Sequence, residues 1–194
     1  MEKRKYWVFG VVFVVAVLAD QLTKVWARAT LKGKPIVTVV ADWWDFRYSE
    51  NPGVAFGMFR DVPGSKFFLP LVALLALGVI VSFVRKTRPD RLRLAAELGL
   101  LAGGAVGNLI DRVMFHKVTD FVLWKAPNES WLCRAIASVS DWFGSTMRYC
   151  EWPTFNVADA WLVVGVIALL IDARADDMDP LPTDATPATT SKDK

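Results

Sequence analysis

The chain has 194 residues, of which 54% are hydrophobic, and its mean hydropathy is +0.32. This composition, together with several long apolar runs, argues against a soluble domain and for a polytopic membrane protein with one bundle. The formal net charge is only +3 and the basic residues lie beside apolar runs, so they fit topology determinants better than a nucleic-acid surface.

The N-terminal segment has a basic start followed by an apolar run. Three basic residues at positions 3–5 precede the apolar residues 7–19. A cleaved signal peptide has this form, with residues 17–19 as a passable cleavage site. The helical pattern nevertheless continues without a breaker, which gives the ~20 residues needed to cross a bilayer. We predict a retained first helix over about residues 6–28.

Asp20 and Lys24 lie four residues apart near the far end of this helix, so they share one face. One interpretation is a solvated ion pair that contributes little to stability. The other is a polar face turned toward a site inside the bundle.

The next segment differs in character, because it mixes β-branched residues, aromatics and charges. It predicts a small strand-rich element outside the bilayer, at about residues 35–62, with aromatics near the headgroup level. Asn51 is followed by Pro52 and Gly53, which is a turn signal. Taken alone, Asn51 is explained by that turn.

Two further apolar runs predict transmembrane helices at about residues 67–84 and 92–114. The loop between them is densely basic and lies on the same side as residues 3–5 if each run crosses once. Both segments, and with them both termini, are therefore expected to be cytoplasmic. Gly103 and Gly107 form a small-xxx-small pair that allows a close helix approach.

A last apolar run predicts a fourth helix at about residues 156–173, followed by a tail, residues 176–194, expected to be disordered. With four crossings, the unexplained polar residues meet at one depth near the outer face. Polar groups at the ends of membrane-length apolar runs are costly and are functional candidates. They are Asp20, Lys24, Asn108, Asp111, Arg112, Asp120, Asn156 and Asp159.

Asp120 and Asp159 are the candidates for chemistry. Two carboxylates held close together do not both ionise easily, so one keeps a proton and the other acts as a base, as in aspartic proteases. Asn156 lies three residues before Asp159 and can orient a carboxyl group or a peptide. The structural alternatives are a helix-end carboxylate for Asp120 and a dipole-stabilised first-turn residue for Asp159. With His116 as the single histidine, we expect no metal site and no cofactor.

Five ordered motifs resemble those of bacterial lipoprotein signal peptidase, also called signal peptidase II. They are Asp20-Gln-Leu-Thr-Lys24, Asn51-Pro-Gly-Val-Ala-Phe56, the stretch from Gly103 to Arg112, Val118-Thr-Asp-Phe121 and Phe155-Asn-Val-Ala-Asp159. The motifs extend from Asp20 to Asp159 and leave the tail outside.

The resemblance implies an all-α membrane bundle of four transmembrane helices with a small periplasmic β-rich element (a β-cradle), in one peptidase domain at about residues 1–175. It implies a multi-pass protein of the inner membrane whose active site lies near the periplasmic face. The activity would be an aspartic endopeptidase that cuts diacylglyceryl-modified prolipoproteins just before the lipidated cysteine. The other implied partners are membrane lipids and the inhibitor globomycin, with no nucleic acid, and we expect a monomer.

By the family pattern, Asp120 and Asp159 form the catalytic dyad. Supporting or substrate-contacting positions match Asp20, Lys24, Asn51, Gly104, Asn108, Asp111, Arg112 and Asn156. Two alternatives from other classes remain: a small proton-coupled transporter, and a non-catalytic envelope protein that binds lipidated precursors. The clustering of polar groups at one face and the absence of an inverted repeat argue against the transporter.

One departure from the family pattern is a loop insertion at about residues 125–149. It is expected on the periplasmic side as a lid, a partner surface or a neutral elaboration. Cys133 lies inside it and Cys150 directly follows it. We hypothesise that the two cysteines form a disulfide, with two free thiols as the alternative.

Overall fold

The structure is a computed structural model that describes residues 2–53, 65–142 and 150–178. This part of the chain is mostly helical with a small sheet, as the sequence predicts. In chain order, the elements are α1 (Glu2–Thr30), β1 (Val37–Val40), β2 (Trp44–Asn51), α2 (Ser65–Lys86), α3 (Leu92–Phe115), β3 (Val118–Trp124), α4 (Trp131–Trp142) and α5 (Val157–Met178).

Three helices in the described part of the chain are long and apolar enough to cross a membrane. They comprise Lys3–Thr30, Phe68–Lys86 and Leu92–Phe115. Helix α5 is 22 residues long, but charged residues near both its ends, including Asp159 and Asp172, leave it outside that group. By length and composition, α1, α2 and α3 therefore suit a membrane-embedded protein.

Helices α1 and α3 run parallel and in close contact. A Cβ atom at Gly103 would lie 2.5 Å from the Cβ of Ala16, and one at Gly107 would overlap the carboxylate of Asp20. The glycine pair that the sequence singles out therefore lies where α1 and α3 pack in close contact. This approach brings the polar face of α1 against the end of α3.

Helix α5 runs antiparallel to α3. Gly104 faces the start of α5, where an added Cβ would lie 2.6 Å from the carbonyl oxygen of Ala158. Gly165, further along α5, faces the carbonyl of Glu97 near the start of α3. The first turn of α5 therefore meets the stretch of α3 from Gly104 to Asn108, where the polar residues of α3 begin.

Ion pairs and a buried lysine hold the opposite end of the bundle. The Nζ atom of Lys5 is buried and donates to the carbonyl oxygens of Arg85 and Thr87 at the end of α2. Arg93 donates to Glu97 at 3.0 Å and lies 3.6 Å from Asp172 of α5. These contacts fix the start of α1 against the end of α2, and the start of α3 against the end of α5.

The sheet is antiparallel in the order β1-β2-β3. Its first two strands come from the predicted strand-rich element, whose residues 54–62 lie outside the described part of the chain. The third strand was not predicted. It lies after α3, far outside the predicted strand-rich element. Its pairing places Asp120 opposite Ser49, and Val118 opposite Asn51. Through β3, the sheet carries Asp120 to the end of the bundle.

The predicted loop insertion contains the helix α4, and Cys133 is disulfide-bonded to Cys150. The disulfide hypothesis is therefore confirmed. Residues 143–149 of the insertion and residues 179–194 of the tail lie outside the described part of the chain, so tail disorder stays a prediction.

Candidate active site

Asp20 and Lys24 form a fully buried ion pair. Their side chains are 0% exposed and the Nζ–Oδ2 distance is 2.9 Å. The solvated-pair interpretation is therefore wrong. The other oxygen of Asp20 accepts a hydrogen bond from the backbone N–H of Ala158 at 2.9 Å, which joins α1 to the first turn of α5. Buried charges persist only when they are paired and hydrogen-bonded, and both conditions are met here.

Lys24 also fixes the side-chain amide of Asn108. Its Nζ atom donates to the Oδ1 atom of Asn108 at 2.9 Å. Because an ammonium group only donates, this contact assigns Oδ1 to the Lys24 side and turns the Nδ2 group of Asn108 away. That Nδ2 group donates to the Oδ1 atom of Asp159 at 2.8 Å. The orientation of Asp159 is therefore linked through Asn108 to a buried charge on α1.

Asn156 is the N-cap of α5 and explains why the helix starts at Val157. Its Oδ1 atom accepts from the backbone N–H of Asp159, and the Oδ2 atom of Asp159 accepts from the backbone N–H of Asn156, both at 3.1 Å. This reciprocal arrangement is a capping box with Asp159 in place of the usual Glu or Gln. The Nδ2 group of Asn156 remains available and donates to Asp120 at 2.6 Å and to Asn108 at 3.1 Å.

Asp120 is buried on β3 between two amide donors. Asn51 donates to its Oδ2 atom at 3.1 Å, and Asn156 donates to its Oδ1 atom. Burial and then the negative charge of Asp159 raise the pKa of Asp120 from 3.8 to about 7, against the smaller, lowering effect of the hydrogen bonds from Asn156 and Asn51. Asp120 is therefore a carboxyl group that holds a proton near neutral pH.

Asp111 of α3 contacts β3 at Thr119, the residue directly before Asp120. Its Oδ2 atom accepts from the backbone N–H of Thr119 at 2.8 Å, and its Oδ1 atom lies 3.3 Å from a guanidinium nitrogen of Arg28. Arg28 also donates to the hydroxyl of Thr119 at 2.9 Å. Sequence reasoning missed Arg28, although it lies one helical turn beyond Lys24. Extending the polar face of α1 by that turn would have found it.

Asn51 forms the predicted turn and also reaches the site. Its Oδ1 atom accepts from the backbone N–H of Gly53 at 3.0 Å while its amide nitrogen donates to Asp120. Arg112 donates to the carbonyl of Gly53 at 3.1 Å and to that of Asn108 at 3.3 Å. Asn51 therefore has both roles: its side-chain oxygen stabilises the turn, and its side-chain nitrogen contacts the site.

These side chains surround a cavity of about 550 Å³. Asp120 and Asp159 both line it, together with Asn51, Asn108 and Arg112. The other five predicted site residues lie behind that lining: Asp20, Lys24, Gly104, Asp111 and Asn156. The four polar residues among them make hydrogen bonds or ion pairs that hold the lining residues, β3 or α5 in place. Gly104 allows α5 to approach α3. The rest of the lining is mostly apolar. It includes Phe155, the first residue of the last motif, and Trp124, Trp152, Leu162 and Val163, which the sequence analysis did not single out.

The arrangement suits acid–base chemistry on an apolar or amphipathic ligand. One carboxyl group has a raised pKa, a second lies in the same cavity, and side-chain amides orient both. Among the residues that the structure describes, no group of three or more His, Cys, Asp or Glu is placed to hold a metal ion.

Comparison with known proteins gives one consistent result. Residues 12–174 match the family model for signal peptidase (SPase) II. The chain is 33% identical to a lipoprotein signal peptidase of Geobacter metallireducens over 177 residues, which cover 90% of this chain and 95% of the relative. It is 32% identical to one of Clostridium tetani over 167 residues, covering 86% and 92%.

Two solved structures of bacterial membrane enzymes have a similar fold. The fold is similar to that of a bacterial membrane enzyme determined by the in meso method at 2.3 Å resolution, with a TM-score of 0.70 and 25% identity. That similarity covers 91% of this chain and 93% of the other. A second such structure, at 1.9 Å resolution, gives a TM-score of 0.67 and 26% identity, covering 87% and 93%.

Proposed function

The chain belongs to the signal peptidase II family, and on that premise we propose that it is a lipoprotein signal peptidase. It is a membrane aspartic endopeptidase that removes the signal peptide from diacylglyceryl-modified prolipoproteins, just before the lipidated cysteine. The observation that carries this proposal is that Asp120 and Asp159 line one cavity and are tied together by the amides of Asn108 and Asn156. The family match does not favour a transporter or a non-catalytic binding protein.

In the proposed reaction, Asp159 is the base and Asp120 is the acid. Ionised Asp159 takes a proton from a water molecule, whose oxygen bonds to the carbonyl carbon of the scissile peptide. Protonated Asp120, whose raised pKa fits this role, gives its proton to the carbonyl oxygen. In the resulting gem-diol intermediate, Asp159 gives the proton that it took from water to the leaving nitrogen. The C–N bond breaks and the C=O bond re-forms as Asp120 takes a proton back from a hydroxyl group of the intermediate.

The surrounding residues orient this dyad before the substrate arrives. Asn51 and Asn156 hold the two oxygens of Asp120, while Asn108 holds one oxygen of Asp159. Lys24 keeps the amide of Asn108 in the required orientation. Preorganised donors of this kind avoid reorganisation during the reaction, which makes them effective in catalysis.

The proposed topology has four crossings, with both termini cytoplasmic and the site near the outer face of the inner membrane. Three observations support it. Helices α1 and α3 run parallel and α5 runs antiparallel to α3, as four crossings require. Basic residues are concentrated at the end opposite to the cavity, and α5 exposes apolar side chains. Val163, Ile167 and Leu170 are 59%, 52% and 61% exposed, which suits contact with lipid acyl chains.

A substrate anchored in the bilayer would enter this cavity sideways, so that its scissile bond reaches the carboxyl groups at the level of the headgroups. The apolar lining suits a lipidated ligand, since burial of apolar surface drives its binding. The proposal includes contact with membrane lipids, inhibition by globomycin and a monomeric enzyme.

The experiment is cleavage by the purified full chain in detergent. Two precursors of identical sequence are compared, one carrying diacylglyceryl on its cysteine and one unmodified, and product masses locate the cut. We expect a cut directly before the cysteine of the lipidated precursor only, and inhibition by globomycin. Equal cleavage of both precursors, or a cut elsewhere, would contradict the proposed specificity. No cleavage by well-folded protein that binds the precursor would favour a non-catalytic role.

A further inference from the structure

An irregular segment directly before α5 forms one side of the cavity. We name residues 150–155 the cavity wall. The segment runs antiparallel to β3 and its extension, and five backbone hydrogen bonds hold it there. They are Ala126 N–H to Cys150 O at 3.0 Å, Trp152 N–H to Trp124 O at 2.8 Å, Phe155 N–H to Val122 O at 3.0 Å, Val122 N–H to Phe155 O at 2.9 Å and Phe121 N–H to Phe155 O at 3.0 Å.

The wall contributes Trp152, Pro153, Thr154 and Phe155 to the cavity lining. Phe155 also packs edge-on against Trp124, with ring centroids 5.1 Å apart. The wall therefore presents a continuous, mostly apolar surface to a bound substrate. It leads at once into Asn156, which contacts the proposed dyad.

Two cross-links hold the outer end of the wall. Cys150 is disulfide-bonded to Cys133 of α4, and Glu151 forms an ion pair with Arg47 of β2 at 2.7 Å. None of these four side chains lines the cavity. They connect the wall to two different elements, the insertion on one side and the sheet on the other.

The inner end of the wall is held independently. Asn156 is fixed by its own bonds to Asp120, Asn108 and Asp159. Without the two outer cross-links, the wall is held only by its backbone hydrogen bonds to β3 and by its inner end, and no contact to the dyad is removed. A wall that is more mobile before binding must be ordered by the substrate, and that cost weakens binding.

We propose that the Arg47–Glu151 ion pair and the Cys133–Cys150 disulfide are positioning pairs that set the affinity of the enzyme for its precursor. This inference rests on the proposed function. Its signature is a rise in KM with little change in kcat, because the cross-links act on the wall and not on the carboxyl groups. It also gives the insertion a role, since α4 carries one half of the disulfide.

The first test uses charge reversal at the ion pair. Arg47→Glu and Glu151→Arg should each raise KM about 2- to 5-fold, the range for a partly exposed ion pair, with kcat within about twofold. The double variant Arg47→Glu/Glu151→Arg restores the pair in the opposite sense and should return KM toward wild type. Arg88→Ala, in an exposed ion pair with Asp90 at the other end of the bundle, is the matched control and should leave both constants unchanged.

The second test uses reduction of the disulfide. Dithiothreitol reduces the Cys133–Cys150 disulfide to two thiols and is itself oxidised to a cyclic disulfide. The reduced enzyme should show a KM about tenfold higher, because several side chains of the wall become mobile. Cys133→Ser/Cys150→Ser should show the same KM and no further response to dithiothreitol.

The outcomes separate this inference from the function on which it rests. A fall in kcat at unchanged KM, no rescue by the double charge reversal, or a dithiothreitol effect that persists in the cysteine variant would overturn it. Unchanged constants in all variants would do the same while leaving the peptidase function intact. Only failure of the wild-type enzyme to cut the lipidated precursor would reject the function itself.

Discussion

The side-chain amide of Asn156 donates to the carboxyl group of Asp120 at 2.6 Å, across 36 residues of sequence. The same side chain caps α5 through the backbone N–H of Asp159. One residue therefore starts the helix that carries one carboxyl group and orients the other. The position of Asp159 and the orientation of Asp120 therefore both depend on the N-cap of α5.

Two substitutions at Asn156 should separate these roles. Serine keeps an N-cap oxygen but removes the amide donor, whereas alanine removes both. We expect Asn156→Ser to lower kcat about 100-fold, the scale for one preorganised donor, with a stability close to wild type. Asn156→Ala should add a loss of ~1 kcal/mol in the free energy of unfolding. Kinetics and thermal unfolding in detergent measure both effects, and full activity in Asn156→Ser would contradict the positioning role.

The raised pKa of Asp120 predicts a pH dependence. If protonated Asp120 is the acid, kcat/KM should fall as the pH rises above about 7, where the group loses its proton. The rate measured between pH 5 and pH 9 on the lipidated precursor reports this decline. A rate that keeps rising through pH 9 would contradict the assignment of the acid.

The same shift affects stability with a defined sign. Because burial raises the pKa of Asp120 from 3.8 to about 7, the folded state binds its proton more tightly than the unfolded state. This stabilising contribution is complete below about pH 4 and is lost as the pH rises through about 7. Asp120→Asn lacks this contribution. The Tm of the variant relative to that of wild type should therefore rise as the pH is increased from about 4 to about 7. A difference in Tm that does not change with pH would contradict the raised pKa.

The buried pair of Asp20 and Lys24 predicts a strong stability effect with a rescue. Lys24→Met leaves the carboxylate of Asp20 buried without its partner and should cost about 3–5 kcal/mol, or about 10 °C in Tm. Asp20→Asn/Lys24→Met removes both charges and keeps an acceptor for the backbone N–H of Ala158. Thermal unfolding should show that the double variant recovers most of the loss. A double variant as unstable as the single one would argue against charge burial as the cause.

Close packing of α5 against α3 predicts a position-specific effect of adding one methyl group. Gly104→Ala places a Cβ 2.6 Å from the Ala158 carbonyl oxygen and 2.8 Å from the Leu162 side chain, so the helices must separate. We expect a loss of about 1–3 kcal/mol and reduced activity, because Asp159 moves with α5. Gly78→Ala, which meets nothing within 4 Å on α2, is the control and should be neutral or slightly stabilising. Equal effects at both positions would contradict the packing account.

The sequence predicted much of this architecture because its strongest signals are physical necessities of a bilayer. Long apolar runs and flanking basic residues indicate helices and their directions, and isolated polar residues within those runs stand out. The convergence of Asp20, Lys24, Asn108 and Asp159 follows from helix directions alone, and the structure brings these residues together.

Other features could not be predicted because they depend on pairing between distant segments. Strand β3 follows α3 directly and pairs with strands that precede α2 in the chain, so no local pattern marks its membership in a sheet with β1 and β2. The cavity wall has no regular secondary structure of its own and acquires its path from hydrogen bonds to β3. Arg28 resembles any basic residue at a helix end until Asp111 and Thr119 are placed beside it.

The most direct test of the central claim is single-turnover cleavage of the lipidated precursor by wild type, Asp120→Asn and Asp159→Asn. Each variant is first shown to be folded by thermal unfolding and to bind the precursor. We predict that wild type cuts before the cysteine and that each substitution abolishes cleavage while binding remains. Cleavage that survives in either variant would contradict the assignment of Asp120 and Asp159 as the catalytic dyad.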